Sequence, residues 1–315
     1  MAAKTWLKGG EAAMAGLVLI NVLWGASSIA AKEALRQLSA VEIVTIRFAI
    51  ALAAVLAVTL LFAPGALRVS FRDLPMLAFL SVAGVSLQFV LQATALVYTT
   101  VTNFSLLFNL STFFIMFFGV ALLGERLTGR QVAGAAVAFG GVFLIVTGGS
   151  PDLSAAHLPG DLMGLASAAL FGVYSIAAKR ASERHSPLTI LVYTFLLGLA
   201  GLIPCYVLFT PMTPPASLDA LTWASILFLA LGCSVVAFLV YNHGMGRLRA
   251  SDAALSMYVT PLAGVALAVP LLGEALTRLT VAGAVLILSG LFVAQTKDAP
   301  HDDGREHAPA EAPDG

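Results

Sequence analysis

The chain has 315 residues, of which 59% are apolar and only 11% charged, and its mean hydropathy is +0.93. Soluble domains carry about 45–50% apolar and about 25% charged residues, so this composition excludes a soluble globular protein and points to an integral membrane chain. The net charge is zero, which leaves no basic footprint for nucleic acid and no field for acidic substrates.

Apolar stretches of about 20 residues, the length that crosses a bilayer core, fall at 11–31, 41–63, 73–96, 100–122, 128–147, 160–179, 187–209, 220–242, 251–272 and 276–295. These are continuous runs with polar residues at helical spacing. A transmembrane barrel would instead show alternating segments of about 10 residues. The expected fold is therefore an all-α integral membrane protein with ten transmembrane helices. Lys4 and Lys8 precede the first run in the manner of a signal peptide, but that run is as long as the later ones and reads as the first span. Cys205 and Cys233 sit in apolar runs without metal or redox spacing and read as small buried hydrophobes.

With the N-terminus inside, thirteen Lys and Arg fall on the cytoplasmic side and only Lys32, Arg36 and Arg278 outside. The positive-inside rule then puts both termini in the cytoplasm, and a plasma or inner cell membrane is the expected location.

Residues 122–146 and 271–295 align at a constant offset of 149 with 12 identities in 25 positions, among them Gly124 with Gly273, Glu125 with Glu274, Gly134 with Gly283 and Gly141 with Gly290. GASSIAAK at 25–32 matches GVYSIAAK at 172–179 at an offset of 147. The chain is a duplication. Five helices per unit is an odd number, so the second unit enters the membrane upside down, and such inverted repeats recur in secondary transporters with the site at mid-membrane between the copies. The units are 1–147 and 160–296, joined by a turn-rich linker at 148–159. The stretch 297–315 is polar and too poor in apolar residues to fold, which marks a disordered cytoplasmic tail.

The ten-span layout, NVLWGASSIAAK in the first helix, Arg47 in the second, LLGE closing the fourth and ninth, and glycine-rich fifth and tenth helices resemble the EamA branch of the drug/metabolite transporter superfamily over roughly residues 11 to 295. The resemblance implies export or exchange of small metabolites, including amino acids and drugs, without specifying one.

Three spans carry polar stripes: Ser81, Gly84, Gln88 and Gln92 on the third; Thr102, Ser105, Asn109 and Thr112 on the fourth; Asp252, Ser256 and Thr260 on the ninth. Polar groups are costly in hydrocarbon, so these faces point inward, either to hydrogen bonds between helices or to a cavity. Trp24 and Ser28 on the first helix correspond to Phe171 and Ser175 on the sixth, and Tyr174 and Tyr258 lie at similar depth. The expected substrate-binding set is Trp24, Ser28, Gln88, Gln92, Asn109, Tyr174, Ser175 and Tyr258. Tyr241 and Asn242, at the end of the eighth span, read as interfacial anchors.

Arg47 is the one Lys or Arg deep inside a span, away from its ends. It is expected to form a gate or structural salt bridge with Glu42 or Glu274, with binding of a substrate carboxylate as the second reading. Glu125 and Glu274 read as caps of the helices that follow them, with Thr128 and Thr277. Lys32 and Lys179 read as structural cations at helix ends. The stripes Gly134, Ala138, Gly141 and Gly283, Gly290 permit close helix approach, either as a scaffold between the halves or as a homodimer face.

No span carries a carboxylate or His in its middle third, and no P-loop is present, so proton relays of the usual kind and ATP-driven work are not expected. No cofactor or metal is expected. The five histidines fall in loops, span ends or the tail, which argues against an intramembrane enzyme. Without a mid-membrane cationic cluster, phosphate-bearing substrates are disfavoured. The expected function is transport of small neutral or zwitterionic metabolites by alternating access, with membrane lipid as surroundings. The alternative is a channel or a lipid- or drug-flipping membrane subunit.

Overall fold

The computed structural model describes residues 2–99, 101–147, 157–210, 213–272 and 278–295. Glu274, Thr277, linker residues 148–156 and the tail lie outside them. Among the described residues the chain is a bundle of helices: α1 (Ala2–Ala34), α2 (Ala40–Phe62), α3 (Leu74–Tyr98), α4 (Val101–Asn109), α5 (Ser111–Leu123), α6 (Gly129–Thr147), α7 (Leu158–Ala181), α8 (Pro187–Phe209), α9 (Ala220–Met245), α10 (Ala250–Leu255), α11 (Val259–Leu272) and α12 (Arg278–Gln295). Six are long and apolar enough to cross a membrane over Gly10–Ala34, Ala40–Phe62, Leu74–Tyr98, Leu158–Ala181, Pro187–Leu208 and Ala220–Met245. Shorter apolar helices run over Leu107–Leu123, Gly129–Leu144 and Val281–Ala294.

Two of the ten expected spans are broken. The stretch 101–123 divides at Leu110, whose N–H bonds back to the Leu107 carbonyl, and the stretch 250–272 divides at a 3₁₀ turn, Ser256–Tyr258. At an offset of 149 the second turn falls on residues 107–109, so both copies break at one position. Asn109, the last residue before the break, also donates its side-chain amide one turn back to the Ser105 carbonyl at 2.7 Å. In the second copy Pro261 has no N–H to offer the Met257 carbonyl.

The third and eighth spans run unbroken but each contains a π-helical segment, Val82–Ser86 in α3 and Phe228–Val236 in α9. Such segments insert an extra residue and release backbone groups. They also change the expected stripe on α3. Ser81 turns to the Leu77 and Tyr193 carbonyls, while Gly84 lets Tyr174 approach so closely that a Cβ there would overlap the ring.

Helices α6 and α12 pack together through their glycines. A Cβ on Gly134 would lie 2.5 Å from the Gly290 carbonyl and one on Gly290 2.5 Å from Gly134 O; Gly141 faces the Gly283 carbonyl in the same way. Because 134 meets 290 and 141 meets 283, the two helices run antiparallel. Gly134, Gly141, Gly283 and Gly290 are thus occupied by contacts between two helices of the same chain.

Local hydrogen bonds start the helices where the sequence changes character. Ser39 and Glu42 form a reciprocal capping box on α2, Ser186 caps α8 through the Thr189 N–H, and Thr128 and Gln131 cap α6 reciprocally. Gly124, at φ +66, ends α5 in the left-handed conformation that glycine adopts without strain.

Glu125 does not cap the helix that follows it. Its carboxylate takes the Ala250 N–H at 2.7 Å, the Ser251 N–H at 3.1 Å and the Ser251 hydroxyl at 2.7 Å, at the start of α10. Thr128 and Gln131 already serve α6, so the carboxylate is free to join residues more than a hundred positions away. Burial pushes the Glu125 carboxyl upward, but these hydrogen bonds and the Lys179 ammonium outweigh it and hold its pKa below the usual value. Lys32 and Lys179 likewise reach neighbouring helix ends. Lys32 donates to Leu96 O near the end of α3, and Lys179 to the Met245 and Leu248 carbonyls at the end of α9. A cation is favourable against the partial negative charge of a helix C-terminus.

Candidate functional site

Helix α1 changes its packing half-way along. Ala13, Leu17, Ile20 and Asn21 are buried at helical spacing, as for a helix with one face on protein and the other on lipid. From Leu23 to Ala31 that periodicity stops, and all nine residues are half-buried. Protein on one side and lipid on the other does not produce such a run; incomplete packing on the inner side does. Trp24 and Ser28 lie in this stretch, and the Ser28 hydroxyl has no hydrogen-bond partner among the described residues.

Trp24 is held at one end of the run. Its Nε1–H donates to the Cys233 carbonyl at 3.1 Å, in the π-helical segment of α9. Its ring meets Phe171, Phe238 and Tyr241 at centroid distances of 5.9, 5.8 and 5.5 Å. Tyr174 and Ser175 join the same group from α7. Tyr174 donates its hydroxyl to Asn242 Oδ1 at 2.8 Å, and Ser175 Oγ and Tyr241 Oη lie 2.6 Å apart. Phe108, beside Asn109, stacks obliquely on Phe171 at 5.7 Å, and Phe89, beside Gln88, on Phe238 at 5.9 Å. The cluster therefore gathers α1, α3, α4, α7 and α9.

The expected polar residues divide. Gln88 is fully buried; its Nε2–H reaches Gln92 Oε1 at 3.4 Å while its own Oε1 has no partner. Gln92 is half-buried. Asn109 is buried and turned to its own helix. Tyr258 stands apart: its hydroxyl donates to the Ala135 carbonyl on α6 at 3.0 Å, and no ring contact or hydrogen bond joins it to Trp24, Tyr174 or Ser175. Its neighbours on the stripe are spent on packing, Asp252 accepting from Gln131, and Ser256 and Thr260 bonding to Asn21.

Tyr241 and Asn242 are not interfacial. Both are buried, because α9 continues to Met245 and carries them inside the bundle, where they bond Ser175 and Tyr174. Asn242 Nδ2 is left without a partner. Asn21, which no sequence pattern singles out, links α1 to Ser256 and Thr260 through its buried amide.

Arg47 forms no ion pair with Glu42. The Glu42 oxygens take the N–H groups of Ser39 at 2.8 Å and Thr213 at 2.7 Å. Arg47 Nε–H donates to Ser234 Oγ at 2.7 Å, and its guanidinium lies over Phe89, 4.4 Å from the ring centroid. The Glu42 carboxylate sits at the first turn of α2, where the capping box fixes it. Among the described residues, no group of three His, Cys, Asp or Glu side chains is placed to hold a metal ion.

The chain has counterparts among known proteins. The model of the EamA-like transporter family matches residues 12–147 and again 158–296. The chain belongs to the EamA-like transporter family. An uncharacterized transporter of Archaeoglobus fulgidus is 29% identical over 282 residues, covering 89% of this chain and 96% of that protein. A probable terminal-alkyne amino-acid exporter of Streptantibioticus cattleyicolor is 29% identical over 73% of this chain and 75% of its own length. A probable amino-acid metabolite efflux pump of Escherichia coli is 28% identical over 60% of this chain and 65% of its own. A solved crystal structure superposes with a TM-score of 0.77 at 23% identity, over 90% of this chain and 96% of the other, and shows the fold alone. The EamA-like chain is therefore a multi-pass membrane protein of a transporter family.

Proposed function

We propose that this protein exports or exchanges small neutral or zwitterionic metabolites, amino acids in particular, by alternating access around a site between two inverted five-helix repeats. The observation that carries this is the loss of burial periodicity in α1 from Leu23 to Ala31 beside an aromatic cluster drawn from both copies. Membership of the EamA-like family supports it, as do the names of the two amino-acid-exporting relatives. The ten-span, inverted arrangement has the support of the duplicated family match, of helix breaks at equivalent positions, and of the antiparallel α6–α12 pair.

In this reading Trp24, Ser28, Gln88, Gln92, Asn109, Tyr174 and Ser175 border the substrate, Tyr258 holds α6 against the 3₁₀ turn between α10 and α11, and both termini are cytoplasmic. The broken helices and π-helical segments are the places where local rearrangement costs least, since their backbone bonds already depart from the regular ladder. Reconstitution into liposomes with a panel of labelled amino acids and uncharged amphipathic drugs tests it. Saturable movement of at least one amino acid, abolished by Trp24→Ala in protein that still folds, is the expected result. Movement that never saturates and is indifferent to Trp24 would favour a channel.

A further inference from the structure

Arg47 is a buried cation whose neighbours do not account for it. It is 6% exposed, its guanidinium rests on Phe89 at 4.4 Å and lies 5.4 Å from Phe48, and its Nε–H is used by Ser234. Among the described residues no carboxylate lies within ion-pair distance of it, and its two terminal amino groups donate to nothing. A buried charge left without compensation is strongly destabilising. An arginine also presents a planar fork of donors suited to a carboxylate. The free edge of Arg47 is such a fork.

The helix packing does not require this charge. At an offset of 147 the second copy has Thr194 where the first has Arg47, although the next residue is phenylalanine in both, and Phe48 and Phe195 meet at 5.0 Å. The duplicated scaffold therefore keeps its aromatic contact and dispenses with the cation in one half. The position of Arg47 suggests what the cation serves. Ser234, which holds its Nε–H, follows Cys233, whose carbonyl holds Trp24. Phe89, under the guanidinium, also meets Phe238, and Phe238 meets Trp24. One short π-helical stretch of α9 thus fixes both the cation and the aromatic cluster side by side.

We propose that Arg47 is the carboxylate anchor of the substrate site, with the apolar part of the substrate lying against Phe89, Phe238 and Trp24. The inference rests on the transporter reading; it narrows the zwitterionic substrates to α-amino acids with an apolar or aromatic side chain and adds amphipathic monocarboxylates to them. Esters and amines of the same skeleton lack the group that Arg47 recognises and are poor ligands.

The test uses the full-length protein in detergent and in liposomes, with L-phenylalanine and 3-phenylpropionate set against their methyl esters. In detergent, ligand-dependent shifts of the thermal midpoint give affinities; in liposomes, labelled ligand gives movement. The wild type is expected to bind each acid at least about tenfold more tightly than its ester. Arg47→Gln is expected to erase that preference while leaving ester affinity within about twofold, and Arg47→Lys to retain part of it. If Arg47→Gln does not fold, the acid–ester ratios of the wild type and Arg47→Lys decide. Equal affinity of the wild type for acid and ester, no binding of either acid, or a preference that survives in Arg47→Gln overturns the anchor. Preferential binding without movement overturns the transporter reading and leaves the anchor standing, whereas movement of acid and ester alike does the reverse.

Discussion

Trp24 and Phe171 occupy the same position in the two copies of the duplicated unit, and their rings meet edge to face with 5.9 Å between centroids and 89° between planes. A pair of equivalent residues can touch only where the two copies come together. The aromatic cluster therefore stands on the seam of the duplication, and α1 is incompletely packed beside it. Trp24 contributes both a ring to three aromatic partners and a donor to Cys233 O.

Trp24→Ala is expected to reduce transport by at least about tenfold, equivalent to about 1.4 kcal/mol of binding or transition-state stabilisation, with a smaller effect on folded yield because Trp24 is only half-buried. Trp24→Phe keeps the ring contacts, each worth roughly 0.5–1.5 kcal/mol, and loses the indole donor; its activity is expected between the two. Initial uptake rates and size-exclusion profiles of the three proteins check this. Equal losses of yield and of activity per folded molecule would make Trp24 a packing residue.

Gly134→Leu is expected to act in the opposite way. A side chain there runs into the Gly290 carbonyl and into Ala294, which are parts of a facing helix and not a flexible side-chain tip. Overpacking costs about 1–3 kcal/mol when neighbours can give way, and here the helices must separate. The thermal midpoint and monodisperse yield fall sharply, whereas Gly140→Leu, which meets nothing within 4 Å, leaves them nearly unchanged.

The Glu125 carboxylate ties the end of α5 to the start of α10, and its folded pKa is depressed. A group with a depressed folded pKa contributes stability that is present above its unfolded value, about 4.3 for Glu, and is lost as pH falls through the folded value. Acidification below about pH 4.3 is therefore expected to destabilise the wild type more than Glu125→Gln, which has no such proton to take up. Thermal midpoints of both proteins from pH 7 downward measure the difference, and parallel curves would remove Glu125 as a contributor.

Placing both termini in the cytoplasm predicts that a reporter active only in that compartment gives signal when fused after residue 298 and none when inserted in the loop 210–219. The reverse pattern would overturn the orientation.

Periodicity, composition and self-similarity are properties of neighbouring residues. They sufficed to read a helical membrane protein, a duplicated chain and membership of the EamA-like family. They also marked Trp24, Ser28 and Ser175, because an aromatic and a hydroxyl recur at the same spacing in both copies, and Tyr174 by its depth in the span. The glycines of α6 and α12 were legible as a close-packing face, which the sequence left open between a scaffold joining the halves and a dimer contact. What no local pattern contains is the partner of a side chain across the bundle. Glu125 reaches Ser251 in place of its own helix, Arg47 reaches Ser234 in place of Glu42, and Tyr258 turns to Ala135 in place of the cluster. Tyr241 and Asn242 are interior because α9 runs past them to Met245. Those choices belong to the tertiary structure, since burying a polar group is tolerable only beside a partner, and which partner is within reach depends on how the helices meet.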